Sequence, residues 1–309
     1  MILCLSPHLD DAALSCGAQL WQYAREGQSV HILNIFSATD QTEGSARFLG
    51  YRASALATER QREEQAAMTK LGVASESLDW LDAPFRNRRY RAYHQLFAPL
   101  SKREQPLVEA LRSELETRCQ ALQPRLILAP LASGGHIDHQ IVHQAAHRLT
   151  VNWPVAFYED MPYSLAPWAL LRRLGPQNPH PDWSRIRRES HRYYAHHPVY
   201  AALPRWQQAL VWPGIRLWLW QQERQSRQLA PRTWNAQIRP CSGAALQAKV
   251  AAIAAYSSQF KRMFLSPERC AQQLSDYARG FSTSAYAERL WLPLASKSDK
   301  VLDACNSLL

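Results

Sequence analysis

The first 160 residues alternate short apolar runs with segments of helical periodicity, and this alternation restricts the fold more than any other feature. The runs are mostly bounded by polar or turn residues, as buried strands are. Strand, helix and strand in succession imply right-handed crossovers and a parallel sheet. We therefore predict an α/β fold with a Rossmann-like, doubly wound, mainly parallel sheet. The predicted strands are 2–5, 30–36, 78–81, 126–129 and 155–158, and the predicted helices between them are 12–26, 53–71, 106–122 and 139–149.

The positive charge of the chain is concentrated in one segment. The whole sequence has a net charge of +10, and residues 165–240 hold +9 of it, from twelve Arg, no Lys and three acidic residues. This segment also contains seven of the eleven Trp and nine of the nineteen Pro, and the alternation of strands and helices stops there. We interpret 165–240 as an Arg/Trp/Pro-rich insertion. Residues 1–164 and 241–309 are then expected to form the main domain together.

Polar clusters follow two of the predicted strands. Residues 6–12 read Ser-Pro-His-Leu-Asp-Asp-Ala, and residues 133–139 read Ser-Gly-Gly-His-Ile-Asp-His. In doubly wound sheets, ligands bind at the carboxyl ends of the strands. We therefore expect the two clusters to meet at one edge of the sheet, although either one alone would also suit a polar turn or a helix N-terminus.

Together the two clusters contain the ligands of a catalytic metal site. Imidazoles from His8 and His139 and a carboxylate from Asp11 are the three protein ligands that catalytic zinc takes, with a fourth position open to water. Fe²⁺ suits the same ligand set. Adjacent side chains diverge in a turn, so Asp10 can accept a proton from the water while Asp11 binds the metal.

These motifs resemble those of the PIG-L/LmbE-like N-acetylglucosaminyl de-N-acetylases. The resemblance covers about residues 1–160 and 244–262 and leaves the insertion out. The matching segments are 7–11, 136–139, 60–63 followed by 71–72, and 249–259, which contains Tyr-Ser-Ser-Gln.

The resemblance implies a zinc-dependent enzyme that converts an N-acetylated amino sugar into acetate and a free amine. It implies that His8, Asp11 and His139 bind the zinc and that Asp10 is the general base. His136 would face the substrate carbonyl as a protonated oxyanion donor, and Asp138 would keep its ring charged and oriented. In the mycothiol-pathway branch a Tyr stands two residues before the second His motif. That position is Gly134 here, so we do not expect a mycothiol-pathway substrate.

Three further residues are candidate substrate contacts. Arg60 resembles the family's sugar-contacting Arg, with a surface ion pair to Glu63 or Glu64 as the alternative. Asp82 and Asp160 follow predicted strands, where a carboxylate can bind sugar hydroxyls, and a solvent-exposed loop is the alternative for Asp82.

Other polar residues near the same sheet edge leave more than one interpretation open. Asp40 follows the second predicted strand and is a weaker candidate for the pocket. The run 85–91, Phe-Arg-Asn-Arg-Arg-Tyr-Arg, is either a solvated loop or a clamp for a phosphate or carboxylate group of the substrate. We expect His143 and His147, one and two turns after His139, to pack against the sheet.

Two other classes of function compete with the deacetylase. A metal-dependent phosphoesterase or nuclease would use the Arg and Trp of the insertion to bind nucleic acid. One His-Asp-His site lacks the extra acidic ligands that two metals need, so we do not expect a nucleic-acid partner. A binding module that has lost catalysis would have no need for Asp10.

The sequence also bears on location. It shows no signal-peptide pattern, and its most apolar later run, 209–220, is too short to span a bilayer. We expect a cytoplasmic protein with peripheral membrane contact through 165–240, anchored by Trp212, Trp218 and Trp220. A lid or an oligomer contact is the alternative role of this segment.

Overall fold

The computed structural model describes residues 1–38, 53–176, 181–229 and 234–293. Within these ranges seven strands form one sheet, and Asp40 lies outside them. The strands are β1 (Ile2–Ser6), β2 (Val30–Asn34), β3 (Ala74–Ser77), β4 (Leu126–Pro130), β5 (Val155–Tyr158), β6 (Trp234–Cys241) and β7 (Tyr286–Pro293). The longer helices are Asp11–Arg25, Ala53–Leu71, Gln105–Leu122, Ile137–Leu149, Pro167–Leu174, Trp183–Ala195, Arg205–Ser226, Gly243–Ala255, Ser257–Met263 and Pro267–Ala278.

The sheet is mainly parallel, in the order β3-β2-β1-β4-β5-β7-β6. Strands β1 to β5 pair in parallel, and β7 runs antiparallel to both of its neighbours, β5 and β6. Both faces are covered. Ile2 and Cys4 belong to one apolar cluster, and Leu3 and Leu5 belong to another on the opposite face. A strand buried on both faces needs apolar residues at successive positions, which is why the continuous apolar runs predicted these strands correctly.

Two parts of the sheet differ from the prediction. The third strand is Ala74–Ser77 and not 78–81, because this edge strand is largely exposed and its Ala-Ser-Glu-Ser sequence has no apolar run to identify it. Leu78 and Trp80 instead pack on the core beyond the strand. The last residues of the segment 165–240, expected outside the sheet, begin β6, which pairs with β7 along its whole length.

A buried ion pair joins the carboxyl-terminal region to the first helix. The helix Asp11–Arg25 is irregular at Cys16, where φ is −129° and ψ is 20°. Just after this break, Glu288 of β7 accepts hydrogen bonds from the backbone N–H groups of Ala18 (3.2 Å) and Gln19 (2.9 Å). The fully buried Lys249 Nζ lies 2.7 Å from Glu288 Oε1, so the carboxylate is compensated in the interior.

A second buried contact holds the loop after β1. Tyr256 Oη lies 2.8 Å from the carbonyl oxygen of Leu9 and also contacts Glu64, which accepts a hydrogen bond from Asn34 Nδ2 at 2.8 Å. The tyrosine has one proton, so both contacts are hydrogen bonds only when Glu64 is protonated and donates to Tyr256. Burial agrees with this, because it raises the pKa of Glu64 to about 7.

We predict that Glu64→Gln makes stability less dependent on pH. The ordinary pKa of 4.5 rises to about 7 in the folded protein. Glu64 therefore binds more protons folded than unfolded, and wild-type stability falls as the pH rises between these values. Glutamine keeps the neutral hydrogen bonds, so the variant should gain about 2 kcal/mol relative to wild type between pH 5 and pH 7.

Urea unfolding of both proteins at pH 5, 6, 7 and 8 measures this difference. Glu59→Gln, an exposed change one turn earlier on the same helix, is the matched control. A constant difference between wild type and Glu64→Gln across this range would show that Glu64 is ionised throughout.

Candidate active site

The two polar clusters meet where the strand order reverses. β1 is followed in sequence by its neighbour β2, while β4 lies on its other side, so a crevice opens at the carboxyl ends of β1 and β4. His8 comes from the first loop, and His136 and His139 come from the second. Their ring centroids are 5.1 to 5.4 Å apart, and one nitrogen of each lies within 4.8 Å of the others. The structure thus brings together the histidines that the sequence selected.

One carboxylate oxygen stands between two of these rings. Asp11 Oδ2 is 3.1 Å from His8 Nδ1 and 3.2 Å from His139 Nε2. Ligand atoms on a tetrahedral ion with zinc-like bond lengths are about 3.3 Å apart. The separations of Asp11 from each ring therefore suit donors that share one divalent metal ion, and His136 is a further nitrogen donor close to both rings.

The remaining nitrogen of each ring faces a completely buried carboxylate. His139 Nδ1 is 2.6 Å from Asp160 Oδ1, and His8 Nε2 is 3.2 Å from Asp138 Oδ2. Carboxylates in this position fix the orientation of metal-binding imidazoles. Asp160 was expected to contact the sugar, but its other oxygen accepts from the backbone N–H of Ser133 at 2.8 Å, and its exposure is 0%. Its place in the structure is that of a support for His139.

Asp138 supports His8, and it does not hydrogen-bond the ring of His136 as the resemblance implied. Its carboxylate accepts from Arg86 Nη2 at 2.5 Å and from the backbone N–H of Ala83 at 3.0 Å. The Arg86 guanidinium lies 4.8 Å from the ring centroid of Phe36. From the sequence, this arginine was expected in a solvated loop or in a clamp for the substrate. In the structure its side chain contacts a buried carboxylate instead.

The surroundings of His136 favour its neutral form, whereas the resemblance implied a protonated ring. Its Nδ1 accepts a hydrogen bond from the backbone N–H of Asp138 at 3.3 Å, as the N-cap of the helix Ile137–Leu149. Burial and the nearby charge of His8 lower the pKa of His136 to about 4. The ring can still donate through Nε2–H without being charged.

Electrostatics favour ionised carboxylates beside His8 and His139. Burial opposes the charge on Asp11, but the adjacent rings of His139 and His8 hold its pKa below the ordinary value. Burial likewise opposes the charge on His139, yet Asp11 and Asp160 raise its pKa to about 10. The carboxylates of Asp11 and Asp160 thus place negative charge beside His139, which would also stabilise a cation bound there.

Asp10 and Arg60 lie side by side at the edge of the crevice. Arg60 Nη2 is 3.5 Å from Asp10 Oδ1, so the alternative of a surface pair with Glu63 or Glu64 does not hold. Burial raises the pKa of Asp10, and the charge of Arg60 opposes that rise. Asp82 is partly exposed, with Oδ1 3.5 Å from His8 Nε2, so it lies at the rim of the crevice.

Three residues at the rim were not identified from the sequence. Tyr163 packs against the backbone of Gly134 so closely that any Cβ there would overlap its ring, and it also packs edge-on to His139. Phe97 packs edge-on to His136 at 5.6 Å. The Arg172 guanidinium carbon is 3.9 Å from where a Cβ of Gly135 would lie. The Gly-Gly pair was the only sequence signal for this close packing.

Proteins of similar sequence are described as deacetylases. Residues 3–150 match the model of the family described as PIG-L, GlcNAc-PI de-N-acetylase. The chain is 31% identical over 172 residues to the 2'-N-acetylparomamine deacetylase of Streptomyces fradiae, covering 52% of this chain and 57% of that one. It is 27% identical over 183 residues to the protein of the same description from Niallia circulans, covering 52% and 66%. These matches span less than two thirds of either relative.

Solved structures share the fold over nearly the whole chain. The zinc-inhibited form of teicoplanin deacetylase superposes with a TM-score of 0.63 at 21% identity, covering 94% of this chain and 96% of that one. The A40926 pseudoaglycone deacetylase gives a TM-score of 0.62 at 21% identity, covering 96% and 98%. This coverage exceeds the share of the chain outside 165–240, so part of that segment has a counterpart there. Residues 3–150, just under half of the chain, are thus similar to the PIG-L family, and they include both loops of the site at the ends of β1 and β4.

Proposed function

We propose that this protein is a metal-dependent N-deacetylase that hydrolyses the acetamide of an N-acetylated amino sugar, releasing acetate and a free amine. The convergence of Asp11 with His8 and His139, beside the separate carboxylate of Asp10, carries the proposal. Curated relatives that act on 2'-N-acetylparomamine support a substrate of the N-acetylglucosamine type joined to a further group. They give the phosphoesterase or nuclease alternative no support.

His8, Asp11 and His139 would hold the metal, for which we propose Zn²⁺, with Fe²⁺ compatible with the same donors. When bound, a divalent ion polarises an amide carbonyl and lowers the pKa of a water molecule. Asp138 and Asp160 keep one nitrogen of each ring directed at Asp11. The donors are therefore oriented before the metal binds.

The chain's own groups account for the proton transfers. Asp10 takes a proton from the attacking water, and Arg60 favours its ionised form before the reaction. His136 donates its Nε2–H to the oxyanion as the carbonyl becomes tetrahedral. The C–N bond then breaks, and the protonated Asp10 returns the proton to the departing amine. Water and amide are converted to acetate and amine, and every enzyme group regains its starting state.

We propose that residues at the rim of the crevice and in the segment 165–240 select the substrate. Arg60 and Asp82 stay candidates for contacts to sugar hydroxyls, and Asp160 is replaced in that role by Arg172. No hydrogen bond or ion pair to Arg172 is found within the described ranges, and burial lowers its pKa. Its guanidinium is therefore free to bind a hydroxyl or an anionic group next to His136.

We also propose that the protein acts in the cytoplasm. Among the residues that the structure describes, no helix has both the length and the apolar character needed to cross a membrane.

Asp10→Asn should lower kcat for acetate release by about 10²–10⁴-fold, because the general base is lost. Its metal content should stay at the wild-type level, since Asp10 is not one of the converging donors. Acetate release is measured with 2'-N-acetylparomamine and other N-acetylglucosamine conjugates, and bound metal by mass spectrometry.

His139→Ala, in contrast, should lose both metal and activity. His147→Ala, an exposed histidine two turns later on the same helix, is the matched control and should lose neither. Wild-type rates in Asp10→Asn, or retained metal and activity in His139→Ala, would contradict the proposal.

Arg172→Gln should raise KM about tenfold with kcat nearly unchanged, because a hydrogen bond to a charged group is lost. The control is Arg192→Gln, an exposed arginine of the same segment. Steady-state kinetics on the best of the conjugates above measures the effect. Equal KM values for both variants would remove Arg172 from the binding site.

A further inference from the structure

The helix Arg205–Ser226 has apolar residues on two opposite sides. On its inner side, Leu219 is buried in a small cluster with Trp168, and Ile215 and Trp218 pack against it. Trp218 meets Trp168 edge-on, with 4.7 Å between ring centroids. This inner side holds the helix to the rest of the segment 165–240.

The opposite side of the helix is apolar and exposed. At 3.6 residues per turn, five residues lie within an arc of about 80° on the side away from Leu219, with its centre about 140° from that residue. We name them the outer face: Trp206, Leu210, Pro213, Leu217 and Trp220, of which the four large side chains are 64%, 72%, 57% and 53% exposed. Within the described ranges, half of the large exposed apolar side chains lie on this one helix.

The outer face differs from the anchors predicted from composition. Trp212 packs against His191 and Tyr200, with ring centroids 5.9 and 5.3 Å away, and Trp218 packs inward. Of the three expected anchors, Trp220 alone is on the outer face, where Trp206 joins it. Trp212 and Trp218 are therefore poor anchors, because a ring that already packs on its neighbours has little exposed area left for contact with a partner.

Positive charge flanks this face. Arg205, Arg216 and Arg224 are exposed, and no acidic partner for them is found in the part of the chain that the structure describes. Glu223, the only acidic residue of this helix, is already bonded to Arg187 and Arg227.

We propose that the outer face docks on an anionic bilayer surface, with the helix lying in the plane of the membrane. Trp and Leu would enter the boundary between headgroups and acyl chains, and the flanking arginines would meet anionic headgroups. A second copy of this chain would bring the same arginines into contact with one another, so charge favours lipid over self-association. The proposal is independent of the deacetylase reaction.

Sedimentation of the full chain with lipid vesicles tests the proposal. We expect wild type to bind vesicles of phosphatidylcholine mixed with phosphatidylglycerol, at least about tenfold more strongly than phosphatidylcholine alone, and to bind less as salt increases. Leu210→Ser/Leu217→Ser should lower binding to the mixed vesicles at least about tenfold. Val151→Ser/Leu265→Ser is the matched control, because these side chains are 64% and 57% exposed elsewhere on the surface, and it should bind like wild type.

A charge variant separates the electrostatic contribution to binding from the apolar one. It also provides a test that does not depend on the leucine substitutions. Arg216→Gln/Arg224→Gln should lose the preference for anionic vesicles and retain metal. Absence of wild-type binding, or equal binding by the outer-face variant and its control, would overturn the proposal. A concentration-dependent dimer that the outer-face variant abolishes, without any vesicle binding, would identify a second copy as the occupant.

Discussion

The position of one carboxylate oxygen, Asp11 Oδ2, determines how the site is built. Because it lies between a nitrogen of His8 and a nitrogen of His139, each ring must turn its other nitrogen into the protein interior. A buried polar atom needs a partner there, and Asp138 and Asp160 supply it. Their charges need partners in turn, which brings in an arginine and backbone N–H groups from other loops. The site thus extends over the ends of several strands.

Sequence reasoning located the candidate metal ligands but not their supports. His8, Asp11 and His139 were found because they follow recognisable buried strands, and parallel topology brings such strand ends together. The roles of Asp138 and Asp160 depend on where loop side chains point, which periodicity does not encode. β3 was misplaced because an exposed edge strand needs no apolar run. Arg172 and Tyr163 were missed because their closeness to Gly134 and Gly135 arises from tertiary packing.

The carboxyl-terminal segment contributes to the site without reaching the metal ligands. Lys249 and Glu288 stabilise the break at Cys16 in the helix that begins at Asp11, and Tyr256 holds the carbonyl of Leu9. The first contact supports that helix, and the second holds the loop that carries His8 and Asp10. The segment 249–259, which the sequence analysis included in the resemblance and which contains no candidate metal ligand, therefore has a structural part beside the site.

The place of β7 has a consequence for the order in which the chain can fold. β7 lies between β5 and β6, although it is the last strand made, and more than a hundred residues separate it from β5. During synthesis the edge of β5 therefore stays open until the whole segment 165–240 and three later helices have left the ribosome. An unpaired strand edge of this kind is prone to non-native pairing. The sheet formed by β1 to β5 therefore keeps an open edge at β5 until β7 has been synthesised.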